Sequence, residues 1–168
     1  RPSFLSAGLA RNFVPSMVPM LATRGEFLTS YTPYQPEVSQ GMLQAMWEFQ
    51  TMVSELVGLP ISNVSMYDAS TAAAEAITCA VRVKSKKATS PNSVFVSDLV
   101  PPHRLSVIRN YTQGVGIELH TLPHNGDGSL DMEAAISAAG SSAVYVEQPN
   151  ALGILDEGIM GIKEVIGD

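Results

Sequence analysis

Between Tyr31 and Glu37 the chain reads Tyr-Thr-Pro-Tyr-Gln-Pro-Glu, which gathers two phenols, a hydroxyl, an amide and a carboxylate. Pro33 and Pro36 each bias the residue before them toward extended geometry, so this is a shaped loop rich in groups that can hydrogen-bond. A second cluster, Met66-Tyr67-Asp68-Ala69-Ser70-Thr71, leads into an alanine-rich stretch. The start of a helix presents unpaired N–H groups and the positive end of a dipole. With the hydroxyls of Ser70 and Thr71 it could cradle a phosphate. Equally, Asp68, Ser70 or Thr71 could simply cap the helix. The chain has no G-x-G-x-x-G or Walker A pattern, so nucleotide binding has no support from motifs.

Other candidates are weaker. His103 follows Pro101-Pro102, and His120 and His124 flank a later strand end. No H-x-x-x-H pair falls on a helix, His120 being expected inside a strand, so a metal site is not expected; a loop histidine such as His103 suits a surface or substrate contact better. A serine-hydrolase triad is unsupported, since no G-x-S-x-G elbow is present. Glu147 and Gln148 fall at the end of an apolar run, where a carboxylate can orient a base or a ring nitrogen, or only tie down a loop. Cys79, the single cysteine, rules out an intrachain disulfide. Among Ala and Ile it is expected to be an inert thiol on a buried helix face.

These groups need elements to hold them. Apolar residues at mixed three- and four-residue steps predict a helix over 42–57, with its Met and Trp residues in a core and Gly58 as its stop. Residues 61–67 read as a short strand, and 68–85 as a helix in which alanine favours propagation. A strand at 93–98, a helix at 103–114, a strand at 116–123, an Asn-Gly/Asp-Gly turn at 124–129, a helix at 131–140, a strand at 142–150 and a glycine-weakened helix at 158–167 follow. Alternation of this kind implies crossovers and a largely parallel sheet, an α/β fold. Ligands then gather beyond the carboxyl ends of the strands, here the loops around Asp68, Asp98–His103, His124 and Glu147–Asn150.

The composition, 45% hydrophobic and 15% charged, is that of a globular chain, and the net charge is −6. A polyanion such as nucleic acid would meet a repulsive average field. The one basic cluster, Arg82, Lys84, Lys86 and Lys87, reads as a solvated helix end. No apolar run is long enough to span a membrane, and a cytoplasmic location is expected. Arg1 is not an initiator and the last residues carry no tail, so both ends read as cut from a longer polypeptide.

Three runs together resemble a known family: YTPYQPEVSQGMLQAMWEFQTMVSELVGL, SMYDASTAAAEA and YVEQPNALGILDE. They are similar, in order, to glycine dehydrogenase (decarboxylating) subunit 1, the P-protein of the glycine cleavage system, and SFLSAGLARNFVP resembles its upstream segment. The likeness covers residues 1 to 157 and is thinnest over 84–141. It implies the fold of type I pyridoxal-phosphate enzymes, related to aminotransferases. Residues 1–40 would form an N-terminal segment with an active-site-type loop, and 41–168 a truncated large domain.

The resemblance further implies decarboxylation of glycine, with pyridoxal phosphate as the electron sink, and transfer of the aminomethyl group to the lipoyl arm of H-protein. In this family's two-subunit form the cofactor lysine lies in the second subunit. Lys84, Lys86, Lys87 and Lys163 have no matching context, so no cofactor is expected on this piece and it is expected to be inactive alone, as part of a heterotetramer with subunit 2. By the same match, Tyr31, Thr32, Tyr34, Gln35 and Glu37 would help shape the glycine or lipoyl access path. Ser70, Thr71 and His103 would be relics of positions that hold phosphate and cover the ring in a catalytic homologue. The rival readings are a truncated piece of another fold-type-I enzyme and a non-catalytic interaction module.

Overall fold

The computed structural model describes residues 12–28, 32–85 and 92–167. The chain falls into two compact units, Arg1–Val64 and Ser65–Asp168.

The first unit is helical. Two short helices, α1 (Met17–Ala22) and α2 (Gly25–Leu28), precede a 3₁₀ turn at Pro36–Val38 and the long helix α3 (Gln40–Val57). Helix α3 stops where expected: Gly58 adopts a left-handed conformation, φ 69°, that a side chain would disfavour. The burial expected for its Met and Trp residues is not found. No α3 residue is buried; Trp47 is 73% exposed and Leu56 86%. Helical periodicity identifies a face that favours cover but not the element that supplies it, and no described element of this unit covers that face.

The strand expected at 61–67 is also absent. The segment is irregular, and it crosses the boundary between the two units. Pro60 precedes it, and Ser62 gives its carbonyl to the Gln50 side-chain amide at 2.8 Å rather than to a ladder. A short apolar run becomes a strand only where a neighbouring edge can pair with it.

The second unit is the α/β body. Helix α4 (Ala69–Ser85) is followed by β1 (Ser93–Ser97), α5 (Pro102–Gln113), β2 (Glu118–Leu122), the short α6 (Met132–Ala135) with a 3₁₀ turn to Ala138, β3 (Ala143–Tyr145), a 3₁₀ turn at Glu157–Gly161 and α7 (Ile162–Ile166). All three strands are parallel in the order β2-β1-β3. The sheet is the parallel α/β arrangement that the alternation of elements implied, and it agrees with the partial aminotransferase-like domain that the family resemblance implied.

Side chains alternate across β1. Val94 and Val96 face Ala73, Ala74, Ile77 and Val81 of α4 and Ile108 of α5, and these form the core. The spacing in α4 makes one helical face, and its alanines let the helix lie close to the sheet. Phe95 points the other way and stacks on its register partner His120, ring centroids 4.9 Å apart. Cys79, expected in this core, is exposed instead; it is two residues beyond Ile77, on the far side of the helix. In the last turn of α4 the Lys84 ammonium donates to the Ser141 carbonyl at 2.7 Å. Lys86 and Lys87 lie outside the described residues.

Candidate functional site

The strand order locates the site. The chain leaves β1 for β2 on one side, then crosses to β3 on the other, so the connections diverge at the carboxyl ends of β1 and β3. That divergence is where open α/β sheets place ligands.

Three pieces of chain meet there. Arg104, in the first turn of α5, pairs with Glu147, just beyond β3, at 2.5 Å. Tyr145, the last residue of β3, donates its hydroxyl to the second Glu147 oxygen at 3.1 Å. The Glu147 hydrogen bond holds the Arg104 guanidinium above its ordinary value. Burial, then the Glu147 charge, pushes the Tyr145 phenol up. The third piece is the start of α4. Asp68 accepts from the Thr71 N–H at 2.7 Å and from the Thr71 hydroxyl at 2.9 Å, while its own N–H donates to that hydroxyl at 3.1 Å. These bonds, chiefly the one from the Thr71 N–H, lower the Asp68 pKa, and the charge of Arg104 adds to the effect.

Of the residues singled out from the sequence, Ser70 is buried beneath the α4 terminus, and Thr71 is committed to the cap. His103 is exposed beside Arg104. In the first unit, Thr32, Tyr34, Gln35 and Glu37 are exposed, and Tyr34 N–H donates to the Thr32 carbonyl in a tight turn at 2.8 Å. Tyr31 lies outside the described residues.

Sequence reasoning missed Arg104, Asp98 and Asp156. Asp98 follows β1 and pairs with His124, beyond β2, at 2.8 Å; the matched strand ends were the available signal. Asp156 is buried. Its carboxylate accepts from the Leu130 N–H at 2.7 Å and the Gly158 N–H at 2.9 Å. Its backbone is bound in both directions by the Gln148 side chain. Asn150 holds the Leu152 and Ile154 N–H groups and the Gly128 carbonyl. Gln148 and Asn150 thus tie down loops. Among the described residues no three His, Cys, Asp or Glu side chains converge as metal ligands, and no helix is long and apolar enough to cross a membrane.

A parallel sheet with helices packed on it defines the general class of α/β domains. Comparison with known proteins narrows this. Residues 1–165 match the family model described as glycine cleavage system P-protein, and the chain belongs to that family. It is 47% identical over 168 residues to the probable glycine dehydrogenase (decarboxylating) subunit 1 of Thermococcus onnurineus, covering 99% of this chain and 36% of that protein. It is 40% identical to the protein of the same name from Thermoplasma acidophilum, over 99% of this chain and 38% of the relative. A crystal structure of glycine decarboxylase (P-protein) of the glycine cleavage system, in inhibitor-bound form, superposes with a TM-score of 0.79 at 47% identity, covering 92% of this chain and 34% of that one. The chain therefore spans about a third of the length of the relatives it matches.

Among the described residues, none fits a covalently held pyridoxal phosphate at this crevice. Such a group needs an amine for its carbonyl and open donors for its phosphate. The described Lys84 is bonded at the amino-terminal end of β3. Lys163 lies on α7, which packs on α6 and the 3₁₀ turn before β3. The α4 terminus faces the Asp68 carboxylate.

Proposed function

We propose that this chain is part of subunit 1 of a glycine-decarboxylating enzyme whose pyridoxal phosphate is held by a lysine of a second subunit. The whole assembly, a cytoplasmic heterotetramer, releases carbon dioxide from glycine and passes the aminomethyl group to the lipoyl arm of H-protein. This chain supplies walls and loops, and alone it is inactive.

The observation that carries the reading is the state of the strand-end crevice. Its charged groups are paired with one another, and the described Lys84 is bonded at the opposite end of β3. The name shared by the relatives, subunit 1, supports a partner subunit. In this scheme Tyr31, Thr32, Tyr34, Gln35 and Glu37 shape the path of glycine or the lipoyl arm. A phenol, an amide and a carboxylate suit a small zwitterion, and the exposure of the four described members leaves them open to contact. Ser70, Thr71 and His103 are relics of a cofactor pocket, with Thr71 now serving the α4 cap.

The test is to purify the two full-length subunits separately and follow labelled carbon dioxide from carboxyl-labelled glycine, with pyridoxal phosphate and lipoylated H-protein present. Release is expected from the mixture only. Turnover by the subunit carrying this sequence alone would overturn the assignment.

A further inference from the structure

We propose that Glu147 is a built-in anion that masks Arg104, so that the crevice beyond β1 and β3 is an oxyanion site closed by the protein's own carboxylate. The inference goes beyond the decarboxylase reading and holds whichever subunit carries the cofactor lysine.

The geometry supports it in three ways. First, the pair bridges the two loops that diverge at the switch point, one after β1 and one after β3, so it lies across the place where such sheets admit ligands. Second, both partners are withdrawn from water, with side-chain exposures of 22% and 13%. A guanidinium there needs an anionic partner, and its planar fork suits carboxylate and phosphate alike. Third, the donors are not exhausted. Arg104 Nε is buried and has no hydrogen-bond partner, although the guanidinium carries five N–H donors. A buried donor of this kind favours a further acceptor.

Asp68 adds to the masking. It lies in the field of Arg104 and gives the start of α4 a carboxylate of its own. Positive charge from the side chain and from the helix terminus is therefore met from within the chain. Glu147→Gln keeps the shape but removes the charge, and leaves Arg104 open to a small oxyanion.

The experiment is calorimetric titration of inorganic phosphate into the full-length subunit and its variants, with folding followed by far-ultraviolet circular dichroism. Glu147→Gln is expected to bind phosphate at least tenfold more tightly than the unmodified protein, and adding Arg104→Met is expected to abolish the gain. The inference is overturned if the unmodified protein binds as tightly as Glu147→Gln, if the folded variant shows no gain, or if the gain survives Arg104→Met. Should Glu147→Gln not fold, Asp68→Asn serves instead, because asparagine still caps a helix. A gain of at least twofold is then expected, and its absence overturns the proposal.

Discussion

The buried carboxylate of Asp156 accepts the backbone N–H of Leu130, 26 residues earlier in the chain, at 2.7 Å. The bond joins the segment after β3 to the turn before α6. Gln148 also grips the Asp156 backbone, so these two residues help to fix the course of the chain from 148 to 158, together with Asn150.

Asp156→Ala leaves the Leu130 and Gly158 N–H groups without their acceptor. A buried donor stranded in this way costs roughly 1–3 kcal/mol, so the variant is expected to lose about 3 kcal/mol in urea unfolding of the full-length subunit. Asp156→Asn, which keeps one oxygen, is expected to lose less. Equal losses would mean that the carboxylate is not the anchor.

The Arg104–Glu147 pair is expected to show strong energetic coupling. Removing either partner leaves the other charge poorly solvated, whereas removing both does not. Arg104→Met and Glu147→Gln should each destabilise by about 2 kcal/mol, and the double variant by less than their sum, with a coupling of about 1–3 kcal/mol. Strict additivity in a double-mutant cycle would contradict the geometry.

Tyr145 gives the alkaline limb. Its folded pKa is raised, by burial first and the Glu147 charge second. Its contribution to stability is therefore full below the unfolded phenol value of about 10, and is lost as pH rises through the higher folded value. Thermal unfolding between pH 9 and about 11 should fall less steeply for Tyr145→Phe than for the unmodified protein. Parallel slopes would exclude Tyr145 as a contributor.

The alternation of strands and helices in the second unit was legible from sequence because it depends on local period: Val94 and Val96 inward with Phe95 outward, and Ala73, Ala74, Ile77 and Val81 on one helical face. The glycine-weakened end of the chain was legible for the same reason, and it forms a 3₁₀ turn before α7. The run at 61–67 was misread because a short stretch of strand-forming residues says nothing about whether an edge is available. Trp47 and Cys79 were misjudged because apolar neighbours in sequence do not fix which side of a helix is covered. Asp98 falls in a loop that the strand ends pointed to, but its pairing with His124, like the roles of Arg104 and Asp156, carries no local signal. Each has a partner 26 or more residues away that becomes a neighbour only when the strand order is known.

The division of labour between two subunits can be tested by reducing the complete, pyridoxal-phosphate-loaded enzyme with borohydride and mapping the modified lysine by peptide mass spectrometry. The account predicts a pyridoxyl group on a lysine of the second subunit. A pyridoxyl group on Lys84, Lys86, Lys87 or Lys163, or elsewhere on the polypeptide that carries them, would contradict it.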